Sequence, residues 1–267
     1  MLKVESITAA YDDAVVLDKV SMTAFERKIT AVVGSSGSGK STLLKVIMGF
    51  IKPRSGRVLI DGEDICSASE AEIARVRAKM GLVFQESALF DSLTVEENIG
   101  FFPIYHQKRR WREVRPKVDA LLADLGLGDI CRKYPGELSG GMRRRVALAR
   151  TLIYHPKILL YDEPTTGLDP ENIATVGEVI EEMNEKFEVT SVVVTHDLES
   201  VLRVADWVYL LDRGCAEEVG PPLQLLTSDH PHVVRFTASW RKHIEDFRKL
   251  PRSAQAGAVD AEDDQVR

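Results

Sequence analysis

The sequence predicts an α/β fold built on a largely parallel sheet with helices on both faces. Five short apolar runs carry that prediction: Ile29 to Val33, Gly81 to Phe84, Lys157 to Tyr161, Val189 to Thr195 and Trp207 to Leu211. Runs that are continuously apolar, instead of alternating with polar residues, mark strands buried on both faces. Amphipathic stretches of helical period fall between them. Val114, Val118, Leu121, Leu122 and Leu125 share one face, as do Ile173, Val176, Ile180, Met183 and Phe187. Buried strands alternating with helices read as a covered, mostly parallel sheet.

The elements follow in order. The first ~80 residues read as strands and turns, with a hairpin where Asp61-Gly62 separates Arg57–Ile60 from Glu63–Ile65. Ile29–Val33 ends at glycine and feeds a glycine-rich loop, and a helical run from Thr42 to Gly49 follows it. Residues 86–150 carry helical pattern with no clear strand, which predicts a helical subdomain inserted into the sheet. Within it, Lys108-Arg109-Arg110-Trp111-Arg112 is a basic run, read either as a solvated helix face or as an electrostatic contact for a partner.

Pro221-Pro222 closes the main body at about residue 220. In the extension 221–250, Val233, Phe236, Trp240, Ile244 and Phe247 recur at helical spacing among Arg235, Arg241, Lys242, Arg248 and Lys249. That is an amphipathic helix with a basic face. It has three readings: docking on its own body, crossing to a second copy, or resting on lipid headgroups. Truncation at Gly220 separates the second from the others. Residues 251–267, with Asp260, Glu262, Asp263 and Asp264, predict a disordered acidic tail.

Composition narrows the function classes. The 267 residues are 44% hydrophobic and 28% charged with a net charge of −6, which argues against nucleic-acid binding through overall charge. Three scattered cysteines, Cys66, Cys131 and Cys215, form no CxxC, so a disulfide framework or zinc site is not expected and a reducing compartment fits. No apolar stretch is long enough for a membrane span, and Met1 to Glu5 opens no secretory signal. A cytoplasmic chain whose membrane role runs through a partner is the expectation.

Chemistry concentrates at Gly34-Ser35-Ser36-Gly37-Ser38-Gly39-Lys40-Ser41, a full match to G-x-x-x-x-G-K-[ST]. The glycines let the backbone wrap a polyphosphate with its N–H groups inward. Lys40 places a cation between β- and γ-phosphates, the Ser41 hydroxyl suits Mg²⁺, and Thr42 opens a helix whose dipole favours the anion. Strand before and helix after supply the required context, so the expected ligands are a nucleoside triphosphate and Mg²⁺.

A second site completes the first. Leu159-Leu160-Tyr161-Asp162-Glu163 is an apolar strand ending in two acids. Adjacent carboxylates cannot both be buried unpaired, so they emerge at the carboxyl edge of the sheet, where open α/β sheets bind ligands. Asp162 is the candidate Mg²⁺ holder. Glu163 is the candidate to orient or deprotonate the attacking water.

Together these residues resemble the ATP-binding cassette (ABC) ATPases over about residues 2–220. Leu138-Ser139-Gly140-Gly141-Met142 resembles the ABC signature, Gln85 the Q-loop glutamine, Gly167-Leu168-Asp169-Pro170 the D-loop, His196 the switch histidine and Tyr11 the adenine-stacking aromatic. The resemblance implies a RecA-like P-loop core sheet with an antiparallel β subdomain and an inserted helical subdomain. It further implies that the nucleotide is ATP, with Gln85 beside the metal and the water, and His196 at the γ-phosphate. Ser139, Gly140 and Gly141 would serve the nucleotide of the opposite subunit in a homodimer, and the whole would drive integral-membrane permease subunits. A soluble ABC ATPase acting on DNA would need a long coiled coil between loop and signature, and no sustained heptads occur there.

Three features narrow the resemblance. Met142 stands where most cassettes have glutamine, Phe84 to Ile99 follows the second strand, and Leu160-Tyr161 precedes the paired acids. These are similar to the ATPases of the Mla/MCE lipid transporters, which move phospholipid across the envelope of Gram-negative bacteria, with a counterpart in chloroplast lipid import. That resemblance implies a phospholipid cargo, an MCE-domain partner and a small regulatory subunit. An ABC transporter for another small molecule is the alternative.

Overall fold

The computed structural model describes residues 1–84, 87–167 and 170–249, the last with the backbone alone at 170–172 and 243–249. The chain divides into two compact units, Met1–Pro222 and Leu223–Arg267. The first opens with β1 (Leu2–Tyr11), β2 (Ala14–Ala24), β3 (Ile29–Val33), α1 (Lys40–Ile47), β4 (Ser55–Ile60), β5 (Glu63–Asp64) and α2 (Glu70–Arg77). Next come β6 (Met80–Val83), α3 (Val95–Tyr105), α4 (Trp111–Asp124), a 3₁₀ turn (Pro135–Glu137) and α5 (Gly140–Leu152). It finishes with β7 (Ile158–Asp162), α6 (Pro170–Phe187), β8 (Thr190–Thr195), α7 (Leu198–Val204), β9 (Trp207–Asp212) and β10 (Cys215–Gly220).

The apolar runs become one six-stranded sheet of order β10-β9-β3-β8-β7-β6, parallel throughout except for the antiparallel edge pair β9–β10. All residues of β3 and β8 are buried, as continuous apolar patterning requires. The pleat divides their side chains between two cores. Leu160, Val192 and Val194 face α1 and a second sheet of order β2-β1-β4-β5, whereas Leu159, Tyr161 and Val193 face the helical layer with Val146, Leu152 and Ile180. Ile60↔Glu63 closes the hairpin expected at Asp61-Gly62.

Register places the site. Val33 pairs with Thr195, and Asp162 pairs with Val194, so the carboxyl ends of β3, β8 and β7 finish side by side. The phosphate loop, Glu163 and His196 all leave from that edge.

Between β6 and β7 the described residues hold α3, α4, α5 and the 3₁₀ turn, with no strand. Thr94 and Glu97 form a reciprocal capping box at the start of α3. Asn98 is fully buried; its Oδ1 accepts from Phe90 N at 2.8 Å, and its Nδ2 donates to the Phe90, Leu93 and Thr94 carbonyls at 3.0 Å each. A Cβ at Gly100 would lie 2.6 Å from the Trp111 ring, so α3 and α4 approach closely there.

Two expectations are corrected. The first ~80 residues are not all strand and turn: α2 intervenes, started by the Ser69–Glu72 capping box. The basic run is a helix face only in its last two residues: Trp111 and the exposed Arg112 begin α4, whereas Lys108, Arg109 and Arg110 lie exposed in the connection between α3 and α4, with Lys108 at φ 56°. Arg110 precedes the first helical residue, Trp111.

In the second unit, α8 (Gln224–Thr227) is followed by α9 (Pro231–Lys249). Arg241 Nη2 donates to the carbonyls of Leu225 at 2.7 Å and Ser228 at 2.8 Å, tying α9 back to α8 and its exit. Ile244, Phe247, Arg248 and Lys249 lie where the backbone alone is described, and residues 250–267 lie outside the described residues. Among the described residues no helix is long and apolar enough to cross a membrane.

Candidate nucleotide site

The loop after β3 adopts a conformation that its glycines alone allow. Gly37 and Gly39 have φ of 81° and 110°. A Cβ at Gly34 would lie 2.2 Å from the Leu211 carbonyl oxygen, and one at Gly39 2.8 Å from Leu17 Cδ2. Ser35, Ser36 and Gly37 form the exposed tip, while Ser38, Gly39 and Lys40 turn inward. The Ser38 hydroxyl is buried with no partner, an unmet polar atom of the kind a phosphate oxygen would satisfy.

Lys40 is 5% exposed, and its Nζ donates to the carbonyls of Gly34 at 2.7 Å and Ser35 at 3.1 Å. It also lies 3.1 Å from Glu163 Oε1. Ser41 Oγ donates to Asp162 Oδ1 at 2.9 Å, so the hydroxyl and carboxylate that suit a Mg²⁺ ion already face each other. Thr42 lies buried in the first turn of α1. An orphaned hydroxyl, a buried ammonium, a cradle closed to side chains and a hard-oxygen pair together fit Mg-ATP.

The paired acids sit in different environments. Burial raises the Asp162 pKa, opposed by the Ser41 hydrogen bond and reinforced by the Glu163 charge. For Glu163, burial also pushes upward, but the Lys40 charge and hydrogen bond, with His196, outweigh it and the net shift is down. Neighbouring carboxylates driven in opposite directions are a pattern of acid–base sites. Glu163 stands at φ 50°, and its N–H donates to the Val194 carbonyl at 2.9 Å, which pins the turn after β7 to β8. Its Oε2 lies 2.8 Å from His196 Nδ1 and accepts from His196 N at 3.3 Å and the Thr166 hydroxyl at 3.2 Å.

The structure thus brings Lys40, Ser41, Asp162, Glu163 and His196 into one cluster. Ser139 is elsewhere: it caps α5, accepting from Met142 N at 3.3 Å. A Cβ at Gly140 would meet nothing within 4 Å, so that helix end is open. Gly141 follows in the same first turn. Tyr11 ends β1 at the tight turn to β2, 46% exposed. Gln85, Leu168 and Asp169 lie outside the described residues. Thr166 was missed by sequence reasoning, since a threonine in a turn carries no signal of what its hydroxyl will reach.

The family described as "ABC transporter" matches residues 17–166, more than half of the chain. The chain belongs to the ABC transporter family. It is an ATP-hydrolysing subunit of such a transporter, using ATP and Mg²⁺. It is 39% identical over 236 residues to the intermembrane phospholipid transport system ATP-binding protein MlaF of Haemophilus influenzae, covering 88% of this chain and 89% of that one. It is 37% identical to the probable ribonucleotide transport ATP-binding protein mkl of Mycobacterium tuberculosis, covering 88% of this chain and 66% of that protein. Among solved structures, cbiO1 of Clostridium perfringens, part of the ABC transporter complex cbiONQ, superposes with a TM-score of 0.80 at 31% identity, covering 93% and 98% of the two chains. A dimeric ATP-binding cassette, MJ0796 bound to ADP and Pi, superposes at 0.73 and 31%, covering 82% and 98%.

Proposed function

We propose that two copies of this chain close around two ATP molecules and drive a membrane permease, with phospholipid as the cargo. The observation that carries the two-copy reading is the open, Ser139-capped start of α5, a helix N-terminus with unspent N–H groups. Among the described residues no hydrogen bond or ion pair ties Ser139 to the cluster around Lys40, and a second copy would bring one to the other. The dimeric MJ0796 cassette supports this arrangement.

Each residue then has a role. The Gly34–Gly39 backbone and the Ser38 hydroxyl cradle the phosphates, Lys40 neutralises the β- and γ-oxygens, Thr42 adds the helix terminus, and Tyr11 stacks on the base. Ser41 and Asp162, with Gln85, hold Mg²⁺, which when bound screens the phosphate charge. Glu163 leaves Lys40 for the attacking water, orients it and accepts its proton; Lys40 keeps the carboxylate ionised beforehand, and parting from that charge lets burial raise its pKa toward that of a base. His196, anchored through Glu163 Oε2, faces the γ-phosphate with its other ring nitrogen. Closure of the pair and its reopening on product release would move the permease.

The cargo reading is supported by similarity to MlaF and by Met142 in the signature. Under it the chain works at the cytoplasmic face of the inner membrane through its permease, with an MCE-domain protein and a small regulatory subunit as further partners. A second reading, another small-molecule cargo, is favoured by similarity to methionine import proteins MetN at 36–39% identity. Isolation of the tagged protein from native membranes, with mass spectrometry of co-purifying chains and lipids, decides between them. A permease with an MCE-domain protein and bound phospholipid is expected. A permease with a soluble solute-binding protein and no lipid would overturn the cargo.

A further inference from the structure

Two hydrogen bonds join the signature helix to Glu163 within one chain. Arg144, in the second turn of α5, donates through Nη2 to the Thr166 carbonyl at 2.5 Å. The Thr166 hydroxyl in turn donates to Glu163 Oε2 at 3.2 Å. Its neighbours Arg143 and Arg145 reach the carbonyls of Leu138 and Leu125, inside the helical subdomain. Arg144 reaches across to the loop after β7.

The placement of Arg144 is costly. Arg144 lines an apolar cavity with Leu148, Tyr161, Val176 and Val179, and its Nη1 is buried without a partner. Burial first, and the charge of Arg143 second, lower its pKa. A helix face needing only packing would carry an aliphatic side chain here. What the guanidinium supplies is a fork long enough to hold a backbone carbonyl on another element.

We propose that Arg144 is a positioning residue for hydrolysis: it fixes Thr166 so that the threonine hydroxyl steers Glu163, making the geometry of the base depend on the position of the signature helix. This rests on the two-copy reading above, in which the Ser139–Gly141 end of α5 meets the partner's nucleotide. The base of each chain then senses whether its own signature helix has docked, and the two nucleotide sites are linked without any direct contact between them.

The test uses the full chain with Arg144→Met, Thr166→Val, the double variant and Arg144→Lys. Either single change is expected to lower kcat by roughly ten- to a hundredfold, up to the scale of a catalytic group misplaced by about 1 Å, with ADP affinity unchanged. The double variant should lose no more than one single, because both cut the same link. Arg144→Lys, which retains a donor, should recover part of the rate. Wild-type kcat in Arg144→Met, additive losses in the double, or a loss that tracks ADP binding would each overturn the proposal. ATP-dependent dimerisation in a Glu163→Gln background separates the two readings. A dimer that survives Arg144→Met is expected, and its loss would make Arg144 an interface residue instead. Failure of Glu163→Gln alone to dimerise would overturn the two-copy reading, and the linkage with it.

Discussion

Lys40 and Glu163 form a buried ion pair, with Nζ and Oε1 3.1 Å apart and the two side chains 5% and 13% exposed. The cation that suits phosphate and the carboxylate that suits water thus hold each other in this structure. On the proposed roles, nucleotide binding would exchange the carboxylate partner of Lys40 for phosphate oxygen and free Glu163 as the substrate arrives.

Lys40→Ala should therefore act twice. Nucleotide binding weakens, since no other cation in the cluster replaces Lys40. Glu163 also loses the charge that holds its pKa down, so burial pushes it upward. Stability should fall by well under the ~3–5 kcal/mol of a fully uncompensated buried pair, because His196 and Thr166 still contact the carboxylate. Calorimetric ADP titration and urea unfolding check both parts; unaltered ADP affinity would remove Lys40 from its role.

Asn98→Ala should be among the most damaging substitutions far from the nucleotide. It strands the Phe90 N–H and takes the side-chain donor from the Leu93 carbonyl, while the Phe90 and Thr94 carbonyls keep the N–H groups of Leu93 and residue 98. A loss of about 2–4 kcal/mol is expected in equilibrium unfolding. A loss below about 1 kcal/mol would show that the 90–94 turn is held by something else.

The Thr94–Glu97 capping box should make part of the stability pH-dependent. Backbone and side-chain hydrogen bonds from Thr94 lower the Glu97 pKa. A depressed carboxylate contributes stability that is present above its unfolded value, near about 4.3, and is lost as pH falls through the folded value. Wild type should thus exceed Glu97→Gln by about a few tenths of a kcal/mol at neutral pH, the group being exposed. The gap should close in acid; a gap that widens there would contradict the assignment.

The exposed connection at Lys108, Arg109 and Arg110 suits an electrostatic contact with the cytoplasmic surface of the permease. Charge reversal at Arg109 and Arg110 should reduce recovery of the complex from membranes and leave the ATPase rate of the free chain intact. Undiminished recovery would assign the run to solvent.

Much of this architecture was legible because burial on both faces leaves a mark in sequence. Ile29–Val33 appears as β3 with the bounds its apolar run gave, and the glycines of the phosphate loop announce their backbone. Less was legible where a few weak signals compete. The Ser69-x-x-Glu72 box that starts α2 was present but outweighed by the strands around it. β10 carries Glu217 and Glu218 on an edge strand, so no apolar run marked it. The Lys40–Glu163 pair, the Thr166 hydroxyl and the reach of Arg144 depend on register between β7 and β8 and on how α5 lies across the sheet. Those are tertiary facts with no local signature.

The most direct measurement is the molar mass of Glu163→Gln in solution by light scattering, with and without saturating Mg-ATP. A mass that doubles with ATP, together with near-absent turnover, is the expected result. A single-chain mass with nucleotide bound would contradict the two-copy ATP sandwich.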